Sequence, residues 1–427
     1  MLYGSIITRV VSRIKADFGH IFEREGLEQL CYASGSRWRN RLLPPARTIE
    51  LLLIQMLHGN TAISHLRHIV GFNFTASAYC QARSRIPLEA LQRILGQLGK
   101  RFIAQDAGRW LGHKTYLIDG SSFSTPDTRV LRKHFGYPSG QQPGCGFPMG
   151  HLLALFHART GMIQSLIPAE YRTHDMSQVT LVHPALGQGD VLVGDRAFCS
   201  FTHVALLQQR ATHAVLRMHQ ALQILKLRCL RKIAQNDRVI EWRKPKKAPS
   251  WLSEEQFDKL PQSIAVRWIS YRIQRKGFRS KGVSIITTLL DNRRYTVDEL
   301  AKLYHSRWEI ETNLNHLKTT MKMDVLRCKN VAGILKELYA FAIVYNLVRI
   351  VMLQAAKQQN TPINRVSFID ALRWLCHSAT AAPLIILIIN PHRPGRSQPR
   401  AIKRRPKQYD RLNKPRNILL RTLKKAA

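Results

Sequence analysis

Near residue 113 the hydrophobic pattern of this 427-residue chain changes period, and that change limits the fold more than any other feature. Upstream, Ile49, Leu52, Leu53 and Met56 form one apolar stripe after Pro44 and Pro45, the signature of an amphipathic helix. Downstream, TYLIDG, HLLALFHA, GMIQSLIPA and DVLVGD are short apolar runs bounded by Gly, Pro or Asp. Runs of that length read as buried strands of a mixed sheet. Residues 201–210 predict a helix, THAVLRM a strand and VSIITTLLD a further core strand. The stretch TVDELAKLYHSRWEIETNLNHLKTTMKM then predicts one long helix, opened by a capping box of Thr296 and Glu299. Helices first, then strands alternating with helices, give an α/β fold.

The first 110 residues read as all-helical. AISHLRHIV and SAYCQARSRI flank a turn at Gly71 and Asn73, with Ser77 as a cap and Arg83 and Arg85 at the far end. That is the outline of a helix-turn-helix, and equally of any helical hairpin with a glycine turn. Residues 125–150, rich in Gly, Pro and Ser, read as an ordered loop. Residues 331–380 are helical again, and the apolar stretch 338–353 contains Asn346 and Arg349, so it reads as a core helix rather than a membrane span. Residues 381–389 are apolar but too short to span. The N-terminus lacks the apolar core and cleavage site of a secretion signal, so secretion is not expected.

Charge narrows the partners. Lys plus Arg number 66 against 27 Asp plus Glu, a formal net charge of +39. Such an excess calls for a polyanion, with nucleic acid leading and a membrane surface or acidic protein second. The basic residues concentrate in two places. Residues 226–247 hold nine against two acidic, inside a segment, 218–282, that reads as a basic, largely β insertion. From 391 to the end there are 13 basic residues, one acidic and several prolines, which reads as a flexible polycationic tail. The seven cysteines are scattered without a C-x-x-C, which argues for a reducing compartment and against a zinc site. His65 and His68, the nearest approach to ligand spacing, lie on an apolar helix with no cysteine partner. No phosphate-binding G-x-x-x-x-G-K-[ST] run occurs, so a nucleotide-driven motor is not expected.

Because acidic residues are scarce, their positions carry information. Asp119 and Asp195 each end an apolar strand, where sites of open α/β sheets gather. On the long helix Tyr304, Glu311 and Lys318 recur every seven residues, and Arg307 lies four before Glu311, so a regular helix puts all four on one face. Two strand-end acids and one helix acid suit two hard divalent cations, which activate an attacking oxygen and stabilise a leaving one. Asp127 competes with Asp119 but lies in a loop, and Glu309 competes with Glu311 but points to the opposite side of a regular helix. Arg196 and Trp308 flank the candidate positions as supporting residues.

The spacing Y-x-x-R-x-x-x-E-x-x-x-x-x-x-K at Tyr304, Arg307, Glu311 and Lys318 resembles the signature of bacterial insertion-sequence transposases of the family numbered four. LIDGSS around Asp119 and VGDRAF around Asp195 resemble that family's two aspartate strands, in the same order. The resemblance implies a ribonuclease-H-like catalytic core with a β-rich insertion between the second Asp and the Glu, here 116 positions apart. It implies that Asp119, Asp195 and Glu311 are catalytic and bind two Mg²⁺ or Mn²⁺ ions, while Tyr304, Arg307 and Lys318 contact DNA phosphates. It implies cleavage of transposon ends through a hairpin, strand transfer into target DNA, a homodimer on synapsed ends, and a bacterial cytoplasmic, nucleoid-associated site of action. A tryptophan that stacks a flipped base is also implied, with Trp242, Trp251 and Trp268 as candidates that the sequence does not separate.

The expected layout is therefore a helical DNA-binding domain at 1–110, a catalytic domain at 111–330, a helical region at 331–390 and a basic tail at 391–427. Two other functions share the same acids: a structure-specific nuclease that cuts without joining, and an inactive DNA-binding copy.

Overall fold

The computed structural model describes residues 24–35, 38, 42–105, 108–138, 145–273, 282–377, 386–391 and 414–426. In chain order the helical start comprises α1 (Arg24–Tyr32), α2 (Pro45–Leu57), α3 (Ile63–Val70), α4 (Ala76–Arg85) and α5 (Leu88–Gln105). The central part runs β1 (Thr115–Ser124), α6 (Arg129–Phe135), β2 (Met149–His157), β3 (Ile163–Glu170), β4 (Val191–Gly194), α7 (Phe201–Gln209) and β5 (His213–Arg217). Then come β6 (Arg228–Ala234), β7 (Asp237–Arg243), β8 (Ser263–Arg272) and β9 (Gly282–Thr287). The chain closes with α8 (Val297–His305), α9 (Trp308–Asn315), α10 (Val331–Gln358), α11 (Phe368–His377) and α12 (Arg416–Ala426).

Among the described residues nine strands join one sheet in the order β3-β2-β1-β4-β5-β9-β8-β7-β6. β1, β4 and β5 are parallel, and β2, β3 and β9 run antiparallel to their neighbours. The period of two along β1 sends Leu117 and Phe123 to one face and Tyr116 and Ile118 to the other. The first face packs on the helical start and α10, the second on α7 and the segment around Phe257. β6, β7 and β8 prolong the same sheet beyond β9, and β6 is exposed along almost its whole length. Its arginines and lysine keep this open edge polar.

α10 is long and apolar enough to cross a membrane by composition, yet 89% of its apolar window is buried inside the fold. Its polar residues explain why it belongs there. Asn346 accepts from the Ile163 backbone N–H at 2.8 Å and donates to the Ile163 carbonyl at 2.9 Å. Tyr339 donates to the Leu166 carbonyl, Tyr345 to that of Gly161 and Arg349 to that of Thr160. The helix thus serves as a side-chain partner for the open edge of β3, and buried backbone groups are satisfied.

Several details differ from the sequence reading. The cap of α4 is Thr75, whose hydroxyl accepts from the Ala78 N–H at 3.1 Å, not Ser77. Arg83 turns inward onto Gln55, Cys328 and Glu337, tying α4 to α10. The stretch read as a loop at 125–150 contains α6, capped by Thr128. Most of the basic tail lies outside the described residues, but its end is α12, held by Arg416 to Asp127 at 2.6 Å. Its sequence, RNILLRTLKKA, repeats apolar residues at helical spacing behind Pro415, which accounts for a helix there. Residues 381–385 are likewise outside the described set.

Candidate active site

β1 and β4 are hydrogen-bonded parallel neighbours, and their register sets Asp119 beside Asp195. Asp195 follows the end of β4, whereas Asp119 lies mid-strand, not at the strand end expected from the sequence, because β1 runs on to Ser124 paired with β2. Asp119 accepts from the Gly120 N–H at 2.9 Å. Asp195 accepts from the Ala197 N–H at 2.8 Å and caps the short turn Arg196–Phe198. Each carboxylate is therefore oriented by its own local backbone. Burial pushes the Asp119 carboxyl up to about 6, and the negative charges of Asp195 and Asp175 add to this against Arg307 and the Gly120 N–H.

The third acid arrives differently. The expected single helix is interrupted: α8 ends at His305, Ser306 and Arg307 form a turn, α9 follows, and His316–Thr320 is a π-helical turn. The break does not scatter the motif. Arg307 Nη2 lies 3.2 Å from Glu311 Oε1 and Arg307 Nη1 lies 3.8 Å from Asp119 Oδ2. Lys318, in the π turn, donates to the Ser121 hydroxyl at 2.9 Å, two residues along β1 from Asp119 on the same face. Burial lowers the Lys318 ammonium below the usual lysine range, against the pull of Asp324. Tyr304 is buried beside Arg307, and burial raises its phenol while Arg307 opposes the shift. Glu311 itself is 46% exposed.

The competing residues go elsewhere. Asp127 lies in a loop and takes Arg132 at 2.7 Å, Tyr137 at 2.8 Å and Arg416 at 2.6 Å. Glu309 accepts from Asn364 at 3.1 Å, on the side away from Asp119, and burial raises its carboxyl. Arg196 donates to Gln220, and Trp308 is an exposed ring with the Arg307 guanidinium 5.5 Å above it. Trp242 is buried against Phe201, and Trp251 and Trp268 are half-buried in the same cluster. His65 bonds Thr61 at 3.0 Å, and all seven cysteines are free.

Sequence reasoning missed two features, a His–Asp pair and a serine. Asp175 and His151 pair at 2.5 Å on the face of β1 opposite the Asp119 side chain. A Cβ at Gly120 would run into the Asp175 carboxylate, so only glycine fits there. The signal was Gly120 inside a strand pattern, which marks a close approach without naming what approaches. Ser121, the partner of Lys318, was the second.

The donor set is hard carboxylate oxygen, which suits a divalent cation rather than a soft metal. Among the described residues no three of His, Cys, Asp or Glu already stand at metal-holding separations. Asp119 and Asp195 offer the adjacent pair, and Glu311 stands apart behind Arg307.

Acids of two adjacent strands faced by a helix bearing cations form a layout suited to phosphoryl transfer, in which acids hold cations and basic residues hold phosphate. Comparison with known proteins specifies the class. The family profile described as "Transposase DDE domain" matches residues 110–347, and the chain belongs to that family. It is a DNA transposase, an enzyme of the DDE class, whose members use divalent metal ions. It is 23% identical over 355 residues to "Transposase InsG for insertion sequence element IS4" of Escherichia coli (strain K12), covering 78% of this chain and 77% of that one. It is 29% identical over 150 residues to "Putative transposase InsZ" of the same strain, 33% of this chain and 48% of that one. Among solved structures it resembles the piggyBac transposase in a synaptic complex with hairpin DNA, with a TM-score of 0.44 and 10% identity over 87% of this chain and 79% of that one.

Proposed function

We propose that Asp119, Asp195 and Glu311 are the three metal-binding acids of this transposase, and that Tyr304, Arg307 and Lys318 hold the phosphate backbone at the transposon end. The observation that carries this reading is convergence. Asp119 of β1 and Glu311 of the broken helix meet at the Arg307 guanidinium, Lys318 reaches the same strand, and Asp195 follows the neighbouring parallel strand. The strand order 3-2-1-4-5 for the first five strands, with β1, β4 and β5 parallel, supports a ribonuclease-H-like core. Two Mg²⁺ or Mn²⁺ ions, when bound, supply the Lewis acid that activates the attacking oxygen and neutralises the leaving one.

The protein's own groups do the rest. The Gly120 and Ala197 N–H groups fix two carboxylates before any ligand binds. Lys318 and Arg307 give charge-assisted contacts to phosphate oxygens, and Arg307 can do so through two N–H groups at once. The basic strand β6 and the helical start extend the contact along the duplex, with 1–110 as the end-binding region, 218–282 as an insertion into the catalytic unit at 111–330, and 331–390 as its helical support. One active site per end makes the working form a homodimer on two synapsed ends. The protein acts at the nucleoid in the bacterial cytoplasm.

The test is a labelled linear DNA carrying the element's ends, with Mg²⁺ or EDTA, resolved on a denaturing gel. Metal-dependent nicks at the boundary followed by hairpin and joined products are expected. Asp119→Ala, Asp195→Ala and Glu311→Ala each lose those products while retaining end binding. Substantial Mg²⁺-dependent cutting by Glu311→Ala removes Glu311 from the set.

A further inference from the structure

We propose that Arg307 is an internal counter-ion of the acidic site that exchanges its carboxylates for DNA phosphate, so that DNA binding and divalent-cation binding strengthen each other. The inference rests on the acids being the metal site and adds a regulation to it.

Arg307 lies between a strand acid and the helix acid, 3.8 Å from Asp119 Oδ2 and 3.2 Å from Glu311 Oε1. Those oxygens are the ones a divalent cation needs. A guanidinium and a divalent cation compete for them, and in a part-buried site their mutual repulsion is only weakly screened. The Arg307 side chain is 12% exposed, so its charge works mostly inside the protein.

The hold is incomplete. Neither carboxylate contact is bidentate, and Arg307 Nε is buried with no partner among the described residues. A phosphate at the site offers the guanidinium a forked partner that the carboxylates do not. Arg307 also stands at the break between α8 and α9, as the residue before α9 with no side-chain cap of its own. Its departure therefore disrupts no capping bond. Drawing Arg307 toward phosphate releases both acid oxygens. By linkage, a ligand that releases the acids for metal is itself bound more tightly when metal is present.

The experiment is Mn²⁺ titration of the full chain followed by electron paramagnetic resonance of the free ion. It is run with and without a saturating DNA duplex carrying the element's end, and corrected for the duplex alone. For the unsubstituted protein the duplex tightens Mn²⁺ binding by about tenfold, within the usual range of such couplings. Arg307→Gln binds Mn²⁺ about tenfold more tightly without DNA, and the duplex then adds little. Arg307→Lys keeps the charge but not the fork and falls between the two. Circular dichroism checks that each variant is folded. If neither variant binds Mn²⁺ more tightly than the parent, the inference is wrong. Asp119→Asn separates this from failure of the site assignment. Unchanged Mn²⁺ binding in Asp119→Asn overturns the metal site itself, whereas loss there with no gain in Arg307→Gln overturns only the counter-ion role.

Discussion

Two arginine–carboxylate clusters in this protein are built from the same groups and differ in every other respect. In the insertion, Arg267 is 1% exposed and meets Asp237 through a fork of 2.7 and 2.5 Å, with its remaining Nη1 on the Tyr295 carbonyl at 2.6 Å. Around Arg307 the contacts are 3.2 and 3.8 Å, the acids are 46% and 24% exposed, and one nitrogen is unpartnered among the described residues. The first cluster is saturated and ties β7 and β8 to Tyr295, two residues before α8. The second is under-satisfied, which leaves its members able to take another ligand. Burial alone does not mark function here. Incomplete hydrogen bonding between charged groups is what sets the proposed site apart.

The contrast can be broken by substitution. The largest stability effect is expected at the closed cluster. Arg267→Ala leaves Asp237 buried and unpaired and should cost about 3–5 kcal/mol in denaturant unfolding. A cost under about 1 kcal/mol would mean that the cluster is not closed in solution. Next comes Asp119→Asn. The folded carboxyl, pushed up to about 6, lies above its usual value of 3.8, so its contribution to stability is complete below pH 4 and is lost as pH rises through 6. At pH 8 the ionised group is therefore a burden, and Asn should stabilise the metal-free protein by about 2–3 kcal/mol there. At pH 4 it should change little. Equal unfolding midpoints at pH 8 would show that Arg307 already compensates the charge.

Lys318→Ala should reduce the salt slope of DNA binding by about one and weaken all sequences alike. An unchanged slope would remove Lys318 from the phosphate contacts. The smallest effect belongs to Glu311→Gln, which breaks an exposed i,i+4 pair and should move stability by no more than about 0.5 kcal/mol. A larger loss would place Glu311 among the structural ion pairs.

The sequence made the strand acids legible because their cause is local. TYLID and DVLVGD are apolar runs stopped by a carboxylate, and each carboxylate is held by a backbone N–H one or two residues away. The core role of α10 was legible for a similar reason, since Asn346 and Arg349 interrupt an apolar stretch and then satisfy β3. The break between α8 and α9 was not legible. LYHSRWEIE contains neither Gly nor Pro, and the turn at Ser306 and Arg307 accompanies burial of Tyr304, Ile310 and Leu317 against the rest of the fold. His151 and Asp175 were hidden because 24 positions separate them, and only the register of β1 with β2 brings them under Gly120. Asp127 shows the converse. It was set aside as a loop residue, and the structure gives it three partners, of which Arg416 fastens α12.

The unbroken ladder from β3 to β6 has a mechanical meaning. A pull on the outermost strand has no joint at which to be absorbed among the described strands. It passes as shear through the hydrogen bonds of β7, β8, β9 and β5 to β4, and from there to the strand that carries Asp119. β6, β7 and β8 thus form a cantilever welded to the strands that carry Asp119 and Asp195, so bending stress applied at its tip would be felt at those acids.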